Sequence, residues 1–224
     1  MKNIIFFTIL LSLIAISCKK KSIQPPNNDS QPLNYTTPST VGSYWVYRNY
    51  EVDSMGNVTM SNVTDTMFVT GDSIVNGYTY TVYEGALIPN TSHRLLRDSS
   101  GYVVDDKGYI YFSNNSLGSI FDTWNEPIYP GPNGTINLKT NIYIEPLSES
   151  VTVPAGNFMA YVRKDVSFDE AGGAVNVCGD LEFIRKTHYV EGVGVVREEF
   201  AFFTEMTQLC KYRYRELIDY YIAP

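Results

Sequence analysis

The sequence predicts an all-β domain: a single antiparallel sheet, curved strongly enough to form a part-open barrel, behind a signal peptide and a disordered tether. Three observations carry this. Tyrosine is abundant, at 18 of 224 residues, and with the frequent Thr and Val it suits a pleated, half-buried surface. Short runs alternate in polarity and are punctuated by Gly, Asn, Asp and Pro, the pattern of a sandwich or barrel. No stretch sustains a helical period, although Ser116 to Trp124 has room for one turn.

The strands follow in chain order, near 44–53, 58–70, 78–84, 92–98, 101–105, 109–113, 141–145, 149–153, 158–168, 181–190, 195–203 and 208–219. Asn76-Gly77, between "SIV" and "YTYTVYE", is a two-residue hairpin signal. Asp106-Lys107-Gly108 marks a further turn. Asn114 to Thr140, with Pro127, Pro130 and Pro132, reads as a long loop, and loops of that length in compact domains are often functional. Phe158 to Phe168 is the clearest strand. Phe158, Ala160, Val162, Val166 and Phe168 share one face, broken by Lys164, and Met159, Tyr161, Arg163, Asp165 and Ser167 share the other. In the last strand Cys210, Tyr212, Tyr214 and Ile218 oppose Lys211, Arg213 and Arg215.

Three stretches stand out: "VGSYWVY" near the start, "VTVPAGNF" from Val151 to Phe158, and "YVEGVGVVREE" from Tyr189 to Glu199, followed by a Tyr-rich terminal strand. This pattern resembles a broad group of uncharacterised bacterial lipoproteins with VPAGxF and GVGxV turns. The resemblance covers mainly the C-terminal third. It implies a curved antiparallel sheet, part-closed like a lipocalin or a lipoprotein carrier. The same residues are also turn chemistry. Pro154 cannot donate to a ladder, and Gly192 and Gly194 permit a tight turn or bulge, so they speak to fold and not to catalysis.

Ahead of the domain, Lys2 is followed by an apolar run from Ile4 to Ile16, interrupted only by Thr8 and Ser12. That is shorter than the roughly 20 residues a membrane-spanning helix needs and fits a secretory signal, residues 1–17. Ala15-Ile16-Ser17-Cys18 resembles the lipobox of bacterial lipoproteins, with Ala15 in place of the usual Leu. The resemblance implies diacylglycerol on the Cys18 sulfur, cleavage before Cys18 and acylation of the new N-terminus. Two or more acyl chains anchor stably where one does not, and Lys19, Lys20 and Lys21 would then lie at the lipid surface. Residues 18–40, rich in Pro, Asn and Ser, form a disordered spacer. The expected location is the cell envelope, at the outer membrane and on its periplasmic face, because no acidic cluster follows Cys18. The β domain is residues 41–224.

Charge narrows the partners. The chain carries 17 basic and 24 acidic residues, a net of −7. Without Lys2, Lys19, Lys20, Lys21 and Asp29, all N-terminal to the domain, 13 basic and 23 acidic residues remain, a net of about −10. An acidic domain without a basic patch argues against nucleic acid. After Cys18 only Cys178 and Cys210 remain. In an exported protein they either form a disulfide, worth roughly 3–4 kcal/mol in the chain-entropy model, or stay buried thiols. Neither has the CxxC spacing of a redox or zinc site.

No catalytic motif is present: no GxSxG, no GxxxxGK[ST], no HExxH. His93 and His188 are read as half-exposed strand residues. Glu198-Glu199 is a carboxylate doublet, but neighbours in a strand face opposite ways. Oxygen-rich stretches at Asp122, Asn125 and Glu126 and at Asp165, Asp169 and Glu170 lack calcium-loop spacing and read as turns. No metal or cofactor is expected. The aromatics are the functional lead: Trp45, Tyr47, Trp124, Tyr129, Tyr212 and Tyr214 either fill the core or line a cavity or an exposed platform. The function expected is a non-catalytic, membrane-anchored envelope lipoprotein that binds a hydrophobic or glycan ligand. The alternatives are a subunit that docks onto an envelope protein complex and, third, a hydrolase.

Overall fold

A computed structural model describes residues 35–53, 55–85, 93–128, 136–169, 184–204 and 209–224. They form thirteen strands: β1 (Tyr44–Val52), β2 (Val58–Val75), β3 (Tyr78–Gly85), β4 (His93–Ser99), β5 (Tyr102–Asp105), β6 (Ile110–Ser113), β7 (Ile120–Ile128), β8 (Ile136–Ile144), β9 (Glu149–Val153), β10 (Gly156–Asp169), β11 (Ile184–Val190), β12 (Gly194–Thr204) and β13 (Leu209–Tyr221). The strand ladders are antiparallel, in the order β6-β5-β4-β3-β2-β1-β13-β12-β11-β10-β8-β7, with β9 paired to the start of β10. A sheet of this many twisted strands curls on itself. Here it nearly closes into a barrel, with one unsealed seam between its two edges.

The turns are the ones the residues dictate. Asn76 and Gly77 take φ of 51° and 81°, the left-handed pair that a type I′ hairpin requires. The segment after β6 narrows the seam. After β6, Leu117 bridges to Ile144 of β8 and the Gly118 amide donates to the Ile144 carbonyl at 2.7 Å.

Two expectations about segment boundaries change. The long loop expected from Asn114 to Thr140 contains β7, and β8 begins at Ile136 rather than near 141. β7 holds Pro127 and lies at the sheet edge, where a missing N–H removes no ladder bond. Residues 35–40, assigned to the tether, pack into the domain. Tyr35 is 1% exposed, its ring 4.5 Å from Phe112 and 5.3 Å from Tyr189. Its amide donates to Asn114 Oδ1 and its carbonyl accepts from Asn114 Nδ2. An aromatic ring is too large an apolar surface to leave in water when a hollow barrel can take it.

The three stretches noted in the sequence meet in space. "VPAGNF" makes the β9–β10 hairpin, with Pro154 and Ala155 as its two-residue turn. "VEGVG" makes the β11–β12 turn, with Gly192 at φ 72° and Gly194 at 102°. Trp45 in β1 donates from Nε1 to the Val193 carbonyl at 2.6 Å, and the Tyr47 hydroxyl donates to the Val195 carbonyl at 2.8 Å. The Ala155 amide donates to the Leu217 carbonyl, and the Ala223 amide to Ser43 Oγ. Four segments far apart in sequence are thus clasped together, largely through backbone carbonyls.

Candidate ligand-binding cavity

The register of β1 and β10 to β13 places charge inside the barrel. One row runs Arg163, Thr187, Glu198, Arg215, Asn49, and the next runs Asp165, Arg185, Phe200, Arg213, Glu51. The face of β10 that carries arginine and aspartate therefore turns inward. The Glu198-Glu199 doublet splits as strand geometry requires: Glu198 faces the interior, while Glu199 accepts from Tyr212 on the outer wall.

Five of these side chains, Arg163, Arg185, Thr187, Glu198 and Arg215, line a cavity of about 300 Å³. Its walls carry four arginines (Arg94, Arg163, Arg185 and Arg215), three tyrosines (Tyr109, Tyr111 and Tyr189), Thr187 and Glu198, with Trp124 also lining it. Trp124 is 42% exposed and the Arg185 side chain 50%. The cavity adjoins a smaller apolar space of about 50 Å³ against Trp45, Met67, Tyr83 and Val103, and the two share Arg94, Tyr111, Tyr189 and Val195.

Arg163 is almost fully buried, and all five of its N–H donors are engaged. Nε and Nη2 clasp the Asp165 carboxylate at 2.6 and 3.0 Å. Nη1 donates to the carbonyls of Ile110 and Tyr111 at 3.0 and 2.9 Å, and Nη2 also reaches the Tyr109 hydroxyl. Ile110 and Tyr111 belong to β6, an edge of the sheet. The guanidinium thus takes the place of a missing strand and holds that edge across the seam.

Glu198 is the second hub. It accepts from Arg185 and, at 2.6 Å, from Arg215. Burial by itself would push its carboxyl up, but the two guanidinium groups outweigh burial and hold it well below the ordinary range. Arg215 also sits 5.0 Å from the Tyr47 ring centre. Tyr189 is pushed up to about 12 by burial, against the pull of Arg163, so it remains a phenol at any physiological pH.

Arg94 differs from the other three. Its guanidinium lies 4.9 Å from the Tyr111 ring centre. No described carboxylate forms an ion pair with it, and Glu198 feels its charge only weakly beside those of Arg185 and Arg215. Among the described residues, four guanidinium groups thus face two carboxylates paired with them, Asp165 and Glu198, in a chain whose net charge is −7.

The aromatics chosen from the sequence separate. Trp124 lines the cavity. Trp45 and Tyr47 are buried, at 1% and 0% exposure, in the clasp, with Trp45 also bounding the small apolar space. Tyr212 and Tyr214 lie on the outer wall, where Tyr214 stacks on Tyr50 at 4.7 Å and Arg197 lies over its ring. Tyr129, Cys18 and Cys178 fall outside the described residues, so the Cys178–Cys210 pairing does too. His188, read as half-exposed, is 3% exposed. Its Nε2 meets Glu149 at 3.0 Å, on the wall opposite the cavity face. Among the described residues no three His, Cys, Asp or Glu side chains gather at a metal position. Sequence reasoning did not single out Arg94, Arg163, Arg185, Arg215 or Glu198 as binding residues. For Arg163 and Arg215 the available signal was the alternation of charge in β10 and β13, which marks a face without saying which way it points.

No protein-family model matches the chain, and no curated protein sequence matches it. Two crystal structures resemble it at a distance. One is of a candidate lipoprotein from Parabacteroides distasonis, with a TM-score of 0.45 and 16% identity, covering 84% of this chain and 100% of that one. The other is of a candidate exported protein with a YmcC-like fold from Bacteroides fragilis, with a TM-score of 0.42 and 14% identity over the same shares. At these scores neither carries a property over to this chain, and the function must be read from its own residues.

Proposed function

We propose that the protein is an envelope lipoprotein, held on the outer membrane by a lipid on Cys18, whose barrel is a non-catalytic receptacle for a small polar ligand of glycan type. The observation that carries the binding reading is the cavity: about 300 Å³, walled by arginine and tyrosine, with a half-exposed tryptophan on it. That volume sits at the lower end of small-molecule sites, and aromatic faces with convergent donors are what a sugar requires. The polar walls weigh against the hydrophobic ligand that the sequence also allowed. The anchoring part rests on the signal and Cys18 in the sequence.

Native mass spectrometry of the mature lipidated chain, extracted gently from its own envelope, tests both parts. An acylated Cys18 and a co-purifying glycan-sized adduct are expected. An unmodified N-terminus would sink the anchor. An empty cavity with a protein cross-linked to the domain in intact cells would favour docking onto an envelope complex instead.

A further inference from the structure

Resting on that binding reading, we infer that the ligand carries an oxyanion (a carboxylate, sulfate or phosphate group) and that Arg94 is the residue that binds it. The other three cavity arginines are already ion-paired. Arg163 spends all five donors on Asp165, Tyr109 and the β6 carbonyls. Arg185 and Arg215 share Glu198. Arg94, over the Tyr111 ring, is the one of the four with no ion pair to any described carboxylate.

A partly buried guanidinium without a paired counter-charge is unfavourable for the empty fold, and an incoming anion removes that penalty. The cavity's sign points the same way, because among the described residues its four guanidinium groups outnumber the carboxylates paired with them, Asp165 and Glu198, against the charge of the chain as a whole. Arginine also has the right shape, since its planar fork matches a carboxylate, sulfate or phosphate through two parallel bonds. Tyr111 lies beneath Arg94, and Tyr189, kept protonated by burial, is a further wall residue able to donate. Arg94 stands where the polar cavity meets the small apolar space. An anion bound there would leave the neutral part of its molecule lying toward Trp124.

The test is calorimetric titration of the full mature chain in detergent with four probes: an acidic disaccharide of galacturonate, a neutral disaccharide, glycerol 3-phosphate and inorganic sulfate. Binding of the acidic disaccharide but not the neutral one, weakening as salt is raised, is the expected result. Arg94→Gln should weaken it roughly ten- to hundredfold without lowering the melting temperature. Arg94→Lys should lie in between, and Arg48→Gln, the same charge change on the outer wall, should leave binding unaltered. Binding of glycerol 3-phosphate or sulfate alone, still lost in Arg94→Gln, would also support the inference and assign the oxyanion to a phosphate or sulfate source rather than an acidic sugar. Equal binding of the neutral disaccharide, or indifference to Arg94→Gln, would overturn the inference while leaving the receptacle reading intact. Absence of binding by all four probes, together with no adduct in native mass spectrometry, would overturn both.

Discussion

The clasp around Trp45 and the cavity around Arg94 share one sheet and are built in opposite ways. In the clasp, side chains bond to backbone carbonyls: Trp45 to Val193 and Tyr47 to Val195. Each contact depends on the path of a turn, so the turn residues are specified and appear as short motifs. In the cavity, side chains bond mainly to one another, from β4, β10, β11, β12 and β13. Each contact depends on which residues face inward across the register, and no contiguous stretch records it. The clasp fixes shape, and the cavity uses that shape to hold charge.

The largest expected effect would break the clasp. Trp45→Ala removes a fully buried indole and strands the Val193 carbonyl, and a loss of about 3–5 kcal/mol in urea denaturation is expected. A smaller loss would mean the clasp relaxes and the contrast is overstated. Next, Arg163→Met leaves Asp165 buried without its partner and releases the edge of β6, for a loss of about 3 kcal/mol. Adding Asp165→Leu should recover much of it. Failure to recover would show that the seam contacts, not the ion pair, set the cost.

Acid should act on the cavity before the clasp. The Glu198 carboxyl is held below its ordinary value near 4.5. Its stabilising contribution is therefore fully present above that pH and fades as pH falls from there toward the depressed folded value. The loss should be on the order of 2 kcal/mol, and Glu198→Gln, though less stable at neutral pH, should show a flatter acid limb. Tyr47→Phe, which deletes one hydroxyl donated to the Val195 carbonyl, should cost about 1 kcal/mol. Trp124→Ala should change stability by no more than about 0.5 kcal/mol while weakening ligand binding. A stability loss as large as that of Trp45→Ala would show that the cavity wall is structural.

The contrast also explains what could be read from the chain alone. The antiparallel, barrel-like sheet, the Asn76-Gly77 turn and the two glycine- and proline-bearing hairpins were legible because period-two alternation and turn residues are local signals. β7 was not, because Pro127 and its polar neighbours look like loop unless the strand is known to lie at an edge. Tyr35 was not, because its neighbours are those of a flexible tether and only a hollow interior gives its ring a destination. The cavity was half legible. Trp124 was singled out from its unusual setting. Arg163 and Arg215 were seen on charged faces of β10 and β13, and a charged face ordinarily points to water; Arg94 and Arg185 gave no such signal. A nearly closed barrel reverses that rule on the strands that wall its cavity.

The pairing of β1 with β13, Tyr44 beside Tyr221 and Trp45 beside Tyr220, has a consequence in time. The strand at the middle of the sheet finds one neighbour immediately after it in the chain and the other only at the far end. A chain emerging N-terminus first from a ribosome cannot assemble the centre of this sheet until β13 is free. Until then Trp45 and Tyr47 lack the carbonyls of β11–β12 as well. Contacts spanning such separations make folding slow, commonly milliseconds to seconds for β proteins. The order of strands thus makes closure at the centre of the sheet a late step, after the sequential hairpins on either side can have paired.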